Sequence, residues 1–248
     1  TLNFADGTLA GAGSVSISTG TLEIAGTAAS LTVSGGVPTI NGTGAGLTVD
    51  GNPGGAITTA GSVTVNGTSF TDITNSGTLT ISNAATLSGN LVVTAGSVSA
   101  SSTLGVGGNV GVEAGTTLNI GGVLTVTGNW TDNGATFTHN LNGVVFTPAA
   151  LGTSTITGDT GFADLTCANQ GGETLAIAGD IGVTGTLTLS GTGTTDRLTI
   201  TGTGSIALTA PQTTGQYLLV DPNIVIAPNT YTAYSSRASA TAPAGRSE

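Results

Sequence analysis

Residues 31–82 carry Leu31-Thr32-Val33-Ser34, Leu47-Thr48-Val49-Asp50, Val63-Thr64-Val65-Asn66 and Leu79-Thr80-Ile81-Ser82, each beginning 16 residues after the one before. Each piece alternates apolar, Thr, apolar, polar, which is the period of a strand with one buried face. A fixed period of this size marks a structural repeat. Weaker apolar positions recur between the pieces, at Val37 and Ile40, Ile57, Phe70 and Ile73, and Leu87. Each repeat therefore holds at least two short strands joined by turns. One such rung cannot bury its own apolar residues, whereas a neighbour one strand spacing away covers them and takes up its free backbone groups. An antiparallel sandwich or barrel also spaces its strands closely, but hairpins have no reason to keep one interval four times over. The reading is all-β, a parallel β-helix (β-solenoid) with short rungs of about 12–16 residues in one elongated domain, each rung roughly 50 Å around at ~3.3 Å per residue.

The composition agrees. Gly is 42 of 248 residues and charged residues are 6%, against a usual quarter. Glycine supplies the corners, and Thr and Val favour the strands. The chain has 13 acids, three arginines (Arg197, Arg237, Arg246) and no lysine. That balance argues against nucleic acid, which is bound by displacing counterions with basic residues, and against an anionic membrane surface. It also removes lysine nucleophiles. No stretch is apolar for long enough to insert in a membrane, and with no Met in the chain, Thr1 reads as a mature or trimmed start. Cys167 is alone, in Leu165-Thr166-Cys167-Ala168, so no disulfide framework is expected and a buried small residue is the reading there.

The same strand-and-corner style opens the chain, in Gly7-Thr8-Leu9 and Thr21-Leu22-Glu23-Ile24. After residue 82 the spacing is read as shortening, through Leu91, Leu104, Leu118 and Leu124, and it steadies again from Leu175 to Leu208. The body is placed at 1–210. Within it, 128–166 stands apart with Trp130, His139 and three of the five Phe, and is read as wider, aromatic rungs. The order Gly128-Asn129-Trp130-Thr131-Asp132, Gly143-Val144-Val145-Phe146 and Phe162-Ala163-Asp164-Leu165-Thr166 resembles the strand repeats of secreted bacterial surface proteins of the filamentous-haemagglutinin-like and autotransporter-passenger group. In those a Trp rung precedes Gly-Val-Phe and Phe-x-x-Leu-Thr strands. The resemblance spans about 128–200. It implies a right-handed parallel β-helix, export to the extracellular surface, and a role in adhesion or surface assembly.

Few residues suggest chemistry. Trp130 could stack on a sugar; the plainer reading is a core that needs a larger side chain there. His139 has no second His or Cys beside it and is read as solvent-facing. Asp6, Asp50 and Asp132 lie at Gly-containing turns and are the weak calcium candidates, though Asp before Gly is also an ordinary turn residue. Asn41, Asn66 and Asn129 begin glycosylation acceptor triplets, as chance alone supplies in so Thr-rich a chain. A polysaccharide-cleaving enzyme needs cations against its substrate or paired carboxylates, and only Arg197 lies in the body. Asp159 with Asp164, or Asp180 with Asp196, are the pairs available. The expectation is no enzyme and no cofactor.

Composition changes at Pro211: four of the seven Pro and all three Tyr follow. Because Pro tolerates edges and not central strands, residues 211–234 are read as a C-terminal cap or subunit-joining arm and not as a regular rung. Tyr217, Leu218, Leu219, Val220, Ile224, Val225, Ile226, Tyr231 and Tyr234 are its expected interface residues, and 235–248 its flexible tail. The functional expectation is a structural subunit of an extracellular bacterial filament, sheath or layer, joined head to tail with copies of itself. The alternative is an adhesin or glycan-binding stalk from a larger secreted protein, with surface glycans as partners.

Overall fold

The computed structural model is a parallel β-solenoid. It describes residues 2–4, 21–24, 31–34, 39–42, 47–50, 56–59, 62–168, 171–193, 196–209, 213–221, 223–227, 232–234 and 237–238, with backbone alone for 2–50, 213–216, 232–234 and 237–238. Among these residues every regular element is a β-strand. The chain forms two compact units, 1–122 with 135–138, and 123–134 with 139–248.

In the first unit, one sheet stacks Leu2–Phe4, Thr21–Ile24, Thr39–Gly42, Ala56–Thr59, Ile73–Asn75, Leu91–Val93 and Val110–Val112 in parallel. A second stacks Leu31–Ser34, Leu47–Asp50, Ser62–Val65, Thr78–Ile81, Ser97–Ala100, Thr117–Ile120 and Thr136–Thr138. A third holds Ser69–Phe70, Ala85–Leu87 and Leu104–Val106. The 16-residue repeat is therefore the second sheet: Leu31 lies on Leu47, Leu47 on Val63 and Val63 on Leu79. Ile40, Ile57 and Ile73 stack in the first sheet, and Phe70 and Leu87 in the third.

Alternation puts every second side chain inside. Val63, Leu79, Val98 and Leu118 are at most 1% exposed, as are Ile57, Ile73, Leu91 and Val110 on the facing sheet. Truncating one of these to Ala costs about 2–5 kcal/mol, because the rungs above and below cannot close the gap.

The rungs are longer than the sequence reading has them. After Leu79 the repeat does not shorten: Leu79 lies on Val98, 19 residues on, and Val98 on Leu118, 20 on. Leu91, Leu104 and Leu118 belong to three different sheets of the turn, so their short spacing counts sides of a coil and not rungs.

The second unit has the same plan. One sheet stacks Trp130–Asp132, Thr153–Thr157, Thr174–Ala178, Leu198–Gly202, Leu218–Val220 and Arg237–Ala238. Another stacks Leu124–Val126, Gly143–Phe146, Asp164–Ala168, Leu187–Ser190, Thr213–Gln216 and Thr232–Tyr234. The third stacks Thr160–Phe162, Asp180–Val183, Ser205–Leu208 and Val225–Ala227. Its rungs reach 26 residues between Trp130 and its partner Ile156. The surplus lies in the loops that hold Leu141 and Leu151, both more than 80% exposed and both at positive φ.

The C-terminal segment corrects the expectation of an irregular cap or arm. The strands Thr213–Gln216, Leu218–Val220, Val225–Ala227 and Thr232–Tyr234 extend the chain's own ladder, with Leu218, Val220, Ile224 and Ile226 at most 6% exposed. Those four are thus not surface residues of a joint. Leu219 and Val225 face out, at 38% and 50%. Tyr217 makes the corner at φ 51°, its carbonyl accepting from the Leu198 N–H at 3.2 Å. The prolines on which the expectation rested, Pro211, Pro222, Pro228 and Pro243, lie outside the described residues, as does Tyr231. So does the tail, except Arg237–Ala238, which pairs with Leu219–Val220.

Trypsin tests this packing. Arg197 immediately precedes Leu198–Gly202, a strand paired on both sides. Under native conditions cleavage is expected only at Arg237 and Arg246, leaving the chain N-terminal to Arg237 whole by mass spectrometry. Rapid cutting after Arg197 would show that these turns are not paired as described.

Candidate functional site

The aromatic rungs form a buried cluster in the second unit. In Trp130-Thr131-Asp132 the first and third side chains point inward, and in Thr160-Gly161-Phe162 so do Thr160 and Phe162. The Trp130 and Phe162 rings meet edge to face, 5.7 Å between centroids at 65°. Such a pair adds about 0.5–1.5 kcal/mol beyond its burial. Trp130 Nε1–H donates to Thr160 Oγ1 at 3.1 Å. The Thr160 hydroxyl in turn donates to Asp132 Oδ2 at 3.0 Å. Asp132 Oδ1 accepts the Gly134 N–H at 3.0 Å. This chain of bonds satisfies the only polar atom of a Trp that is 0% exposed, and a carboxylate that is 5% exposed.

Two expectations are corrected here. Trp130 offers no face to a sugar, because both sides of its ring are inside the coil. The calcium reading of Asp132 fails because both its oxygens already accept hydrogen bonds and the side chain is turned inward. Asp6 lies outside the described residues, and Asp50 is described only as the end of the strand Leu47–Asp50. Among the described residues no three His, Cys, Asp or Glu side chains gather as a metal site would require.

The other acids serve the corners. Asp159 Oδ1 accepts the Asp180 N–H at 2.9 Å, and Asp180 Oδ1 accepts the Ser205 hydroxyl at 2.8 Å. Asp164 Oδ1 accepts the Thr186 N–H at 2.5 Å. Three of the four carboxylates named as candidate catalytic pairs, Asp159, Asp164 and Asp180, thus brace one turn to the next. Asp196 is exposed and Arg197 half-buried. His139 is half-buried and not fully solvent-facing. Burial lowers its pKa, and the nearby Asp164 charge opposes that in part.

Cys167 lies on Phe146 in the ladder and is 0% exposed. Burial, with the Glu173 carboxylate adding to it, pushes its thiol up to about 12. A thiol so held is protonated at neutral pH and has no character of a nucleophile. Glu173 is itself 0% exposed, its Oε2 accepting the Gly171 N–H at 3.0 Å.

Polar residues inside the coil are what the sequence reading missed. In the first unit Asn75 is 0% exposed. Its Nδ2 donates to the carbonyls of Gly77 at 2.9 Å and of Ala95 and Ser97 at 3.1 Å. Its Oδ1 accepts from Thr59 at 3.4 Å. The signal was available: Asn75 sits in phase with Ile73, where an apolar residue would be expected.

No family model, curated protein or solved structure matches the chain. The fold is that of a β-solenoid.

Thr160→Val removes the hydroxyl between Trp130 and Asp132 at nearly constant volume. It should cost about 2–4 kcal/mol in urea unfolding, since a buried N–H and a buried carboxylate oxygen both lose a partner. Thr160→Ser should recover most of this. Equal stability of the Val variant and the parent would show that the network holds nothing.

The thiol sets a pH dependence. The unfolded thiol ionises near its ordinary value of 9.0 and the folded one only near 12. The unfolded state therefore loses its proton first. Stability is full below about pH 9 and falls by up to about 1.4 kcal/mol per unit from there towards 12. Cys167→Ala should lack this component of the alkaline loss. A thiol reagent at pH 8 should label Cys167 only in denaturant.

Proposed function

We propose that this chain is a structural β-solenoid of a bacterial cell surface, assembling end to end with copies of itself into a filament, sheath or layer. The observation that carries the reading is the edge of the second unit. Among the described residues Val225–Ala227, Thr232–Tyr234 and Arg237–Ala238 each have a strand partner on one side only. Together they present three sides of a rung whose outer backbone groups have no strand partner among the described residues. Such an edge is a template for another strand. Head-to-tail contacts between identical copies do not close on themselves unless the rotation happens to close, so they continue as a fibre.

What the side chains do agrees with a structural role. In the second unit Asp159, Asp164 and Asp180 brace one turn to the next, and Trp130, Asp132 and Cys167 are buried in the core. Export and the bacterial surface are supported by the resemblance of residues 128–200 to the filamentous-haemagglutinin-like and autotransporter-passenger repeats. Of the residues named for the joint, Tyr217, Leu219 and Val225 are not in the core; Tyr231 and the side chain of Tyr234 lie outside the described residues.

Negative-stain electron microscopy of the purified chain over a concentration series tests this. Unbranched filaments that lengthen with concentration are expected. Monomers persisting at every concentration would overturn self-assembly and leave a stalk segment of a larger surface protein.

A further inference from the structure

The second sheet of the first unit turns an unusual face outward. Its strands Ser62–Val65, Thr78–Ile81, Ser97–Ala100, Thr117–Ile120 and Thr136–Thr138 are stacked in register. Two columns of side chains point away from the core. One is Ser62, Thr78, Ser97, Thr117 and Thr136; the other is Thr64, Thr80, Ser99, Asn119 and Thr138. Every one of the ten is half-buried or exposed. Nine are hydroxyl residues, and the tenth is an amide. The outward positions of the neighbouring sheets are not kept this way. They run Thr58, Thr74, Val92, Gly111 in the first and Ser69, Thr86, Gly105 in the third.

The geometry of such a face follows from the ladder. Within a column, neighbours stand ~4.8 Å apart, and the two columns are ~6.6 Å apart, two residues along a strand. Thr is stiff at χ1, so its hydroxyl and methyl keep their places without being fixed by a partner. The result is a two-dimensional grid of neutral hydroxyls and methyls. Of the described acids of this unit, Asp72 and Glu113 lie between strands, Glu23 belongs to the first sheet, and Asp50 ends the strand Leu47–Asp50, one rung before the grid begins. Asp72 is tied to the Asn90 N–H at 2.7 Å.

The size and chemistry of the grid decide what it fits. Five strands cover on the order of 300 Å², well short of the ~800 Å² per partner of a stable protein interface. Sugar sites use aromatic side chains with a few convergent polar groups; here the one aromatic of these strands, Phe137, lies between the columns in sequence and on the other side of the strand. What remains is a partner that repeats as the face repeats, carries no charge, and exchanges hydrogen bonds at every node. Crystalline water has those properties, with rows of oxygen atoms whose repeat is close to the distance between strands.

We propose that this Ser/Thr face binds ice. The hydroxyls take positions of lattice oxygens, and the methyls sit between them. The proposal does not depend on self-assembly, since it needs only the first unit's own rungs.

The test is growth of ice in the presence of the purified full chain. The chain should stop the coarsening of polycrystalline ice held just below melting and should facet single crystals. Thr80→Tyr and Ser99→Tyr, neighbours in the second column and each compatible with a strand, should lose both effects. Thr86→Tyr, on the third sheet, should keep them. Circular dichroism of all three must match the parent, and Thr78→Tyr serves as a replacement where one face variant does not fold. No effect on ice, an effect that both face variants retain, or one that Thr86→Tyr also loses would each overturn the proposal. Co-sedimentation with crystalline cellulose or chitin without any action on ice would assign the face to a polysaccharide and overturn it as well.

Discussion

In-register parallel pairing is the constraint on which this molecule depends. Each strand lies on the corresponding strand of the next turn, so every side chain is stacked on its equivalents about 4.8 Å away. A residue that suits one rung must suit its neighbours on both sides. Leu79 between Val63 and Val98 is one case, and Ile73 between Ile57 and Leu91 another. The core is a set of such columns, and the backbone bonds of each rung are completed only by the rungs beside it.

That constraint explains which parts of the fold were legible in the sequence. A column of like residues repeats visibly along the chain, so Leu31, Leu47, Val63 and Leu79 disclose the ladder before any coordinates are consulted. The number of strands per turn was not legible in the same way. Leu91, Leu104 and Leu118 look like one drifting repeat because strands on different sides of the coil share one alternation. The C-terminal turn was hidden for a related reason. Pro211, Pro222 and Pro228 break a linear pattern, whereas the strands 213–216, 218–220 and 225–227 carry no proline and pair in register with the turn before. Trp130 and Thr160 were opaque because their bond spans 30 residues of sequence and exists only once two sides of the coil face each other.

The corners follow a second rule. Asp72 accepts the Asn90 N–H at 2.7 Å, and Asn90 Oδ1 accepts the Asn109 N–H at 2.8 Å. In the second unit Asp159, Asp180 and Ser205 repeat the arrangement. A short side chain with an oxygen acceptor at a corner reaches the first free N–H of the next turn and closes the ladder where strand pairing stops. Sequence reading considers Asp159 and Asp180 only as members of possible carboxylate pairs, and gives Asp72 and Asn90 no role. The structure shows that they connect rungs, and their oxygens are already occupied with that.

Stacking also accounts for the charge composition. A Glu or Lys on a strand face would meet a like charge one rung away whenever its column repeats it. At ~4.8 Å that repulsion is about 1 kcal/mol in water and about 3 kcal/mol at the surface of a protein. Repeated along a column it would exceed the stability of an ordinary domain, ~5–15 kcal/mol. Thr and Ser are free of this cost and suit a strand. Among the described residues Asp72, Asp159 and Asp221 lie between strands, where each accepts a backbone N–H. The 6% of charged residues is thus a consequence of building one column at a time. The neutral hydroxyl faces are what that construction leaves on the surface.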